Sequence, residues 1–437
     1  MSTERRAATI ARDVAAQWVL RCVDCAREYP GLDVRYRCDC GGTLDVAHRF
    51  GRISLATFDR RRGTSRTIDR SGVWRFRELV LPLDEAHVVT RPEGDTNLYQ
   101  SPALAEFTGL AQPLMLKHEG ENPTGSFKDR GMTVAITIAR LLGKGAVACA
   151  STGNTSASMA AYAAPCGMRA YVFIPEGKIA YGKLGQSLAY GAKTIQIRGN
   201  FDAAMTLVEQ ACRERDVYLV NSMNPFRIEG QKSIAFELLQ DLEWRVPDWI
   251  VMPGGNLGNS SAVAKALEEL RSLGLIAKLP RLAVVQSEGA NPLYRAWSTG
   301  APLAPVADPS TIATAIRIGN PVSWKKCLRG ITALNGVVEQ VSDQEILDAK
   351  ARVDAAGIGA EPASCAAVAG LRKLVAAGIV PRGASVCVVL TGHVLKDPDA
   401  IVGYHTSELP GITPQFANPP VTTDATLDAV LRAMDAA

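Results

Sequence analysis

The sequence has no hydrophobic run long enough to cross a membrane, which takes about 18 consecutive apolar residues. Its first residues, MSTERRAATIARDVAAQ, also have no apolar core of the kind that a secretory signal needs. We therefore expect a cytoplasmic protein with no membrane partner.

The chain has little excess charge of either sign. Its 48 lysines and arginines nearly balance 44 aspartates and glutamates, and no long basic run or alternation of basic and aromatic residues occurs. Nucleic acid is not an expected partner, because binding to the phosphate backbone needs concentrated positive charge. With 437 residues, of which 47% are apolar, the chain is long enough for two or more domains with ordinary cores. A small molecule is the expected partner.

Cysteines are concentrated in the segment 21-RCVDCAREYPGLDVRYRCDCGG-42. A CxxC pair followed by a CxCGG pair is typical of a small zinc ribbon, in which two tight turns bring four thiolates onto one ion. The second pair has one intervening residue where a ribbon usually has two, so a zinc site and a metal-free knuckle both remain open. Four protein ligands would make any zinc structural. The candidate ligands are Cys22, Cys25, Cys38 and Cys40.

From about Pro113 onward, apolar runs of five to seven residues alternate with helical patterns that end at glycine. Examples of the runs are GAVACAS, RAYVFIP, DWIVMPGG and ASVCVVLTGH. This alternation predicts an α/β fold, in which a parallel sheet is covered by helices on both faces.

The residues that follow these runs are candidates for a binding site, because ligands of open α/β sheets lie at the carboxyl ends of the strands. STGNTSAS at 151–158 and GGNLGNSSA at 254–262 each open a helix with small residues and glycine. Free main-chain N–H groups at such a place suit a phosphate. Each loop alone is equally well explained as a turn.

The stretch 121-ENPTGSFKDRGM-132 adds a lysine, Lys128, directly after a turn of small residues. A lysine and two anion-binding loops together supply what pyridoxal phosphate needs: an amine for a Schiff base and N–H donors for the phosphate. We expect the neighbouring Asp129 and Arg130 to pair structurally and to take no part in catalysis.

At this point the sequence resembles the fold-type II pyridoxal-phosphate enzymes, and within them the threonine synthase family. The resemblance covers most of the chain from about residue 90. The matching pieces are PTGSFKDRG at 123–131, STGNTSAS at 151–158, NSMNPFRIEGQKS at 221–233, GGNLGN at 254–259, TAIRIGNPVSW at 314–324, EPASCAAVAGL at 361–371 and LTGH at 390–393.

The resemblance implies two open parallel-sheet α/β domains behind a small zinc-ribbon-like segment. The predicted division is a cysteine knuckle at 1–50, an extension at 51–110 that packs on the core, and a catalytic core at 111–437. Within the core, the smaller subdomain is expected at roughly 145–225. The resemblance also implies a homodimer.

The roles of cofactor-binding residues follow from the same resemblance. Lys128 matches the Schiff-base lysine, Asn154 the side chain that bonds the cofactor's phenolic oxygen, and Thr391 the hydroxyl near its pyridine nitrogen. The residues that match the phosphate-binding loop are Gly254, Gly255, Asn256, Leu257 and Gly258.

The implied reaction converts O-phospho-L-homoserine and water into L-threonine and phosphate, so a second phosphate site is required. The family match assigns it to Asn221, Ser222 and Arg227, with Thr155 opposite, and assigns the substrate carboxylate to Ser151, Thr152 and Asn154. For Arg227 a surface salt bridge to Glu229 is the competing interpretation.

Three other functions remain open. A threonine or serine dehydratase would use the same lysine and glycine loop without a second phosphate site. A cysteate synthase would take phosphoserine, which is one carbon shorter. A non-catalytic regulatory protein that binds pyridoxal phosphate would retain the cofactor site alone.

Overall fold

The computed structural model describes residues 16–151, 153–176, 181–198 and 201–435. Thr152, one of the predicted substrate-binding residues, lies outside them. No helix in the described part of the chain is both long and apolar enough to cross a bilayer.

The N-terminal cysteine segment forms a three-stranded antiparallel sheet in the order β2-β1-β3. The strands are β1 (Trp18–Cys22), β2 (Glu28–Pro30) and β3 (Leu44–His48). In β1 the side chains alternate, so that Trp18, Leu20 and Cys22 are buried, as expected for a sheet with one face on a core. Cys22 is the last residue of β1, Cys25 lies in the turn that follows, and Cys38 and Cys40 lie between β2 and β3.

The segment from residue 55 to 141 connects this small sheet to the core. Its helices are α1 (Leu55–Arg62), α2 (Thr67–Arg70), α3 (Arg77–Val80), α4 (Pro102–Thr108) and α5 (Lys128–Leu141), and its strands are β4 (Leu98–Ser101) and β5 (Leu114–His118). β4 pairs with β5. Part of the predicted 51–110 extension therefore belongs to the larger core sheet, whereas the division into domains stays a prediction.

The smaller core sheet has four parallel strands in the order β8-β7-β6-β9. Its elements are β6 (Ala146–Ala150), α6 (Asn154–Ala163), β7 (Arg169–Pro175), α7 (Tyr181–Ala189), β8 (Lys193–Ile197), α8 (Phe201–Glu214) and β9 (Tyr218–Leu219).

The larger sheet has six strands in the order β12-β11-β10-β13-β5-β4, all parallel except β4. After residue 224 the elements are α9 (Pro225–Gln231), α10 (Ser233–Asp241), β10 (Trp249–Pro253), α11 (Gly258–Ser272), β11 (Arg281–Ser287), α12 (Pro292–Thr299), α13 (Trp324–Ala333), β12 (Val337–Val341), α14 (Asp343–Ala355), α15 (Pro362–Ala376), β13 (Val386–Leu390), α16 (Pro398–His405) and α17 (Leu427–Asp435). Every residue of β10 and β13 is buried, which explains why these strands appear as unbroken apolar runs.

Candidate active site

Lys128 begins helix α5 behind a turn that is fixed to the end of β13. Gly125 has φ = 79°, a conformation that favours glycine. The Phe127 N–H donates to the Thr391 carbonyl at 3.0 Å, and the His393 N–H donates to the Gly125 carbonyl at 2.9 Å. The LTGH segment therefore positions the turn from which Lys128 emerges.

The surroundings of the Lys128 amine favour its uncharged form. Burial, and then the positive charge of Arg227, lower the pKa of Lys128 to about 7, whereas Glu361 acts in the opposite direction. A neutral amine is the form that attacks an aldehyde and the form that accepts a proton. This environment suits a nucleophile and differs from that of a solvated surface lysine.

The two charged residues after Lys128 do not pair with each other, which corrects the sequence expectation. Asp129 accepts hydrogen bonds from the Thr124 N–H and hydroxyl, both at 2.7 Å. Arg130 is fully buried and pairs with Glu119 at 2.6 Å and Glu237 at 2.7 Å. Both residues still have structural partners, and these come from other segments.

The glycine loop at 254–258 joins the end of β10 to the start of α11 and forms a cradle. A Cβ on Gly254 would lie 2.7 Å from Val284 Cγ1, so the close approach of the loop to the neighbouring strand requires glycine. The main-chain N–H groups of residues 255–258 donate to no group among the described residues. Unpaired N–H groups at a helix N-terminus are an anion site. Asn256 Nδ2 donates to Ser222 Oγ at 3.0 Å and connects this loop with the predicted substrate-phosphate segment.

Arg227, on helix α9, is buried without a counter-charge. It is 2% exposed, its Nη1 donates to the Val220 carbonyl at 3.1 Å, and its Nε has no hydrogen-bond partner. In the part of the chain that the structure describes, no carboxylate lies within ion-pair distance of it. Burial lowers the pKa of Arg227 to about 10. A buried, unpaired guanidinium is costly unless an anion binds there.

The competing interpretation, a salt bridge between Arg227 and Glu229, is wrong. Glu229 points instead toward the N-terminal sheet, where its carboxylate lies 2.6 Å from His48 Nε2. It also pairs with Lys232 at 2.6 Å and with Lys265 at 2.5 Å. The two side chains, two positions apart in α9, serve different neighbours.

The other predicted substrate residues lie at the adjacent strand ends. Asn221 accepts a hydrogen bond from the Ala150 N–H at 3.0 Å and donates to its carbonyl at 3.3 Å, so its amide holds β6 and β9 together. Ser151 Oγ accepts from the Gly153 N–H at 3.3 Å. Thr155 is half-buried in the first turn of α6. Their contacts with a substrate stay a prediction.

Asn154 and Thr391, the predicted partners of the cofactor ring, are connected by a residue to which the sequence comparison assigned no role. Glu361 accepts a hydrogen bond from Asn154 Nδ2 at 3.1 Å and from Thr391 Oγ1 at 3.2 Å. Glu361 is the first residue of the EPASCAAVAGL segment. Its place directly after a turn and before a helix-starting proline was the available signal.

The four N-terminal cysteines converge. Cys22 Sγ lies 3.6 Å from Cys40 Sγ, and Cys25 Sγ lies 3.5 Å from both Cys38 Sγ and Cys40 Sγ. All four sulfur atoms lie within 4.8 Å of one another. None of the four forms a disulfide.

These residues fit pyridoxal phosphate. The site offers an amine with a pKa of about 7, a cradle of unpaired N–H groups in a loop that only glycine at 254 lets lie this close to β11, and polar side chains between them. A pair of parallel α/β sheets with this site at their strand ends defines a pyridoxal-phosphate-dependent enzyme of fold type II. Residues 89–392 match the family model described as "Pyridoxal-phosphate dependent enzyme".

The relatives of the chain narrow this class. It is 45% identical over 420 residues to "Threonine synthase" of Methanosarcina acetivorans, which covers 95% of this chain and 98% of that protein. It is 46% identical over 384 residues to "Threonine synthase" of Methanocaldococcus jannaschii, with 87% and 94% covered. The crystal structure of threonine synthase from Escherichia coli shares the fold with a TM-score of 0.68 at 18% identity, over 96% of this chain and 99% of that one. The chain belongs to the threonine synthase family of pyridoxal-phosphate-dependent lyases.

Proposed function

We propose that the protein converts O-phospho-L-homoserine and water into L-threonine and inorganic phosphate. The observation that carries this proposal is the buried guanidinium of Arg227, which has no counter-ion among the described residues and is close enough to lower the pKa of Lys128. The glycine loop supplies one anion site, and Arg227 supplies a second one. A dehydratase substrate has no phosphate to occupy the second site.

Each residue then has a defined task in the reaction. The glycine loop 254–258 and Lys128 hold the cofactor, with Asn154 and Thr391 at its ring. The cofactor, when bound, stabilises negative charge that develops on the substrate's carbon atoms. Arg227 and Ser222, together with Asn221 and Thr155, bind the substrate phosphate. Ser151, Thr152 and Asn154 bind the substrate carboxylate.

Lys128 moves the protons. The phosphate is on the γ carbon, so protons must leave the α and the β carbon before phosphate can depart. The γ carbon then takes up one proton, the hydroxyl of water adds at the β carbon, and a proton returns to the α carbon. An amine with a pKa of about 7 exchanges protons readily in both directions at neutral pH. The positive charge of Arg227 contributes to this low pKa, because it repels a second positive charge on Lys128 and so favours the neutral amine before an anion binds.

The test is the product formed by the purified holoenzyme. We expect O-phosphohomoserine to yield phosphate and threonine in equal amounts, and O-phosphoserine or threonine to yield little product. Phosphate release from phosphoserine alone would identify the cysteate synthase function. Ammonia release from threonine or serine without any reaction of phosphohomoserine would identify a dehydratase. Cofactor binding without turnover of any of these substrates would favour the regulatory protein.

We also propose that the four cysteines hold a structural zinc ion. Tetrahedral Zn–S bonds of about 2.3 Å place sulfur atoms about 3.8 Å apart. The observed separations of 3.5 and 3.6 Å support such a site. With four thiolates present, no position is left for catalysis.

The zinc-bearing sheet contacts the segments that carry the second anion site. Tyr36 OH, between the two cysteine pairs, accepts a hydrogen bond from the Leu219 N–H at 2.8 Å, at the end of β9. His48 lies against Glu229, two residues from Arg227 on α9. Loss of the zinc would therefore reach the phosphate site through these contacts.

Removal of the zinc by Cys22→Ser is expected to raise the KM for phosphohomoserine roughly tenfold, because a buried partner such as the Leu219 N–H then loses a bond worth about 1–3 kcal/mol. The absorption band of the bound cofactor should change much less. Metal analysis and steady-state kinetics provide the measurement. Cys166→Ser, at a half-buried cysteine outside the N-terminal sheet, is the matched control. An active parent enzyme without zinc would refute the metal site.

We further propose a homodimer. Helix α17 has four large apolar residues on one face, and all of them are exposed in the single chain: Leu427, Val430, Leu431 and Met434. An apolar face of this kind is typical of an association surface. We expect light scattering to give about twice the chain mass of 46.6 kDa, and Leu431→Asp to lower it. A parent protein that stays at the mass of one chain would contradict the dimer.

The cytoplasmic location stays a prediction.

A further inference from the structure

Glu361 is a fully buried carboxylate that hydrogen-bonds to both predicted ring partners of the cofactor. One oxygen accepts from Asn154 Nδ2 at 3.1 Å and the other from Thr391 Oγ1 at 3.2 Å. No lysine, arginine or histidine of the described residues lies within ion-pair distance of it. Burying a carboxylate without a cation is costly. Its two hydrogen bonds therefore have a large effect on the free energy of its ionised form.

The backbone fixes the place of this carboxylate. The Glu361 N–H donates to the Gly392 carbonyl at 3.0 Å, and Pro362 starts helix α15 directly after it. A Cβ on Gly392 would lie 2.4 Å from Glu361 Cδ, so only glycine leaves room for the carboxylate at this point. Two of the sequence motifs, EPASC and LTGH, are thus fitted to each other around Glu361.

Ser364 determines where the Thr391 proton can go. Ser364 Oγ accepts hydrogen bonds from the Thr391 N–H at 2.8 Å and the Gly392 N–H at 3.0 Å. A hydroxyl has two acceptor positions and one proton. Ser364 therefore donates its own proton to Thr391 Oγ1, which lies 3.0 Å away. The Thr391 proton remains free to point either to Glu361 or to the cofactor ring.

We propose that Glu361 is a positioning residue of the cofactor site, which orients the Asn154 amide and the Thr391 hydroxyl toward the two polar positions of the cofactor ring. This inference rests on the proposed roles of Asn154 and Thr391 at the ring. It does not depend on the identity of the substrate. As an acceptor from both side chains, Glu361 directs the Asn154 amide group and, together with Ser364, restricts the Thr391 hydroxyl to two directions.

Glu361→Gln tests the proposal, because it preserves the shape of the side chain but replaces one acceptor by a donor. Asn154 and Thr391 donate to different oxygens of Glu361, and a glutamine has an oxygen at only one of these two positions, so it cannot keep both contacts in the observed geometry. We expect the apo-protein of this variant to bind pyridoxal phosphate at least tenfold more weakly than the parent, and the bound cofactor to show a shifted absorption maximum. Both quantities are measured by titration of apo-protein with the cofactor.

Glu93→Gln is the matched control. Glu93 is also fully buried and accepts hydrogen bonds from hydroxyl groups, from Ser71 at 2.5 Å and from Tyr162 at 2.7 Å, but it contacts neither ring partner. A general effect of placing glutamine in the core would appear in both variants. Equal changes in both, or an unchanged affinity and spectrum in Glu361→Gln, would overturn the proposal.

Ser364→Ala keeps the test decisive if Glu361→Gln does not fold. Removal of the Ser364 hydroxyl takes away the hydrogen bond to Thr391 Oγ1 and leaves the contact of Asn154 with Glu361 in place. We therefore expect a shifted absorption maximum with a smaller loss of cofactor affinity than in Glu361→Gln. An unshifted maximum would again overturn the proposal. Inactivity of the parent enzyme on phosphohomoserine would refute the proposed function and leave these cofactor measurements valid.

Discussion

Replacement of Lys128 by alanine is expected to abolish the absorption band of the lysine-bound cofactor and to reduce turnover of phosphohomoserine by roughly 10³-fold or more, since a positioned proton carrier alone contributes about 10²–10⁴-fold. The variant loses both the covalent attachment and the base. Absorption spectra and kcat measured on cofactor-saturated protein provide the test.

The pH dependence of cofactor loading is a second measurement on the same residue. Because burial and Arg227 lower the pKa of Lys128 to about 7, the reactive neutral amine predominates above that pH and is lost below it. The rate at which cofactor-free protein forms the band should therefore rise as the pH increases through about 7. Lys193→Ala, at an exposed lysine that begins β8, should behave like the parent. Retained turnover in the Lys128→Ala variant would refute the assignment of Lys128 as the lysine that binds the cofactor and carries the protons.

Replacement of Arg227 by alanine is expected to lower kcat/KM for phosphohomoserine by roughly 10²-fold, because removing one partner of a buried charge pair costs about 2–5 kcal/mol. The cofactor band should remain, since the glycine loop holds a different phosphate. Arg227→Lys should recover only part of the loss, because a lysine lacks the planar fork that fits phosphate. Steady-state kinetics and inhibition by inorganic phosphate provide the measurement.

Thermal unfolding separates this role from a structural one. In the substrate-free protein Arg227 is a buried charge without a counter-ion among the described residues, so its removal should not lower the thermal midpoint. A structural arginine would lower it. Arg198→Ala, at an exposed arginine paired with Glu176, is the control for loss of a positive charge. An unchanged kcat/KM in Arg227→Ala would contradict the phosphate site.

Predicted strands with both faces of the sheet covered are confirmed. The runs GAVACAS and DWIVMPGG correspond to Ala146–Ala150 and Trp249–Pro253. Leu98–Ser101 and Val337–Val341 were not predicted, and both are edge strands of the larger sheet. These two edge strands are partly exposed and contain polar residues, so neither gives a continuous apolar run.

The sequence alone was sufficient for the α/β class, for Lys128 behind its turn and for the glycine loop at 254–258, because each depends on residues that are neighbours in the chain. It could not assign partners across the fold. Glu229 is two residues from Arg227 but pairs with His48, 181 positions away, which leaves the guanidinium unpaired. Glu361 likewise meets Asn154 across 207 positions. Such pairings depend on how separate strands and helices pack, and it is this packing that leaves the Arg227 guanidinium unpaired and brings Glu361 to Asn154 and Thr391.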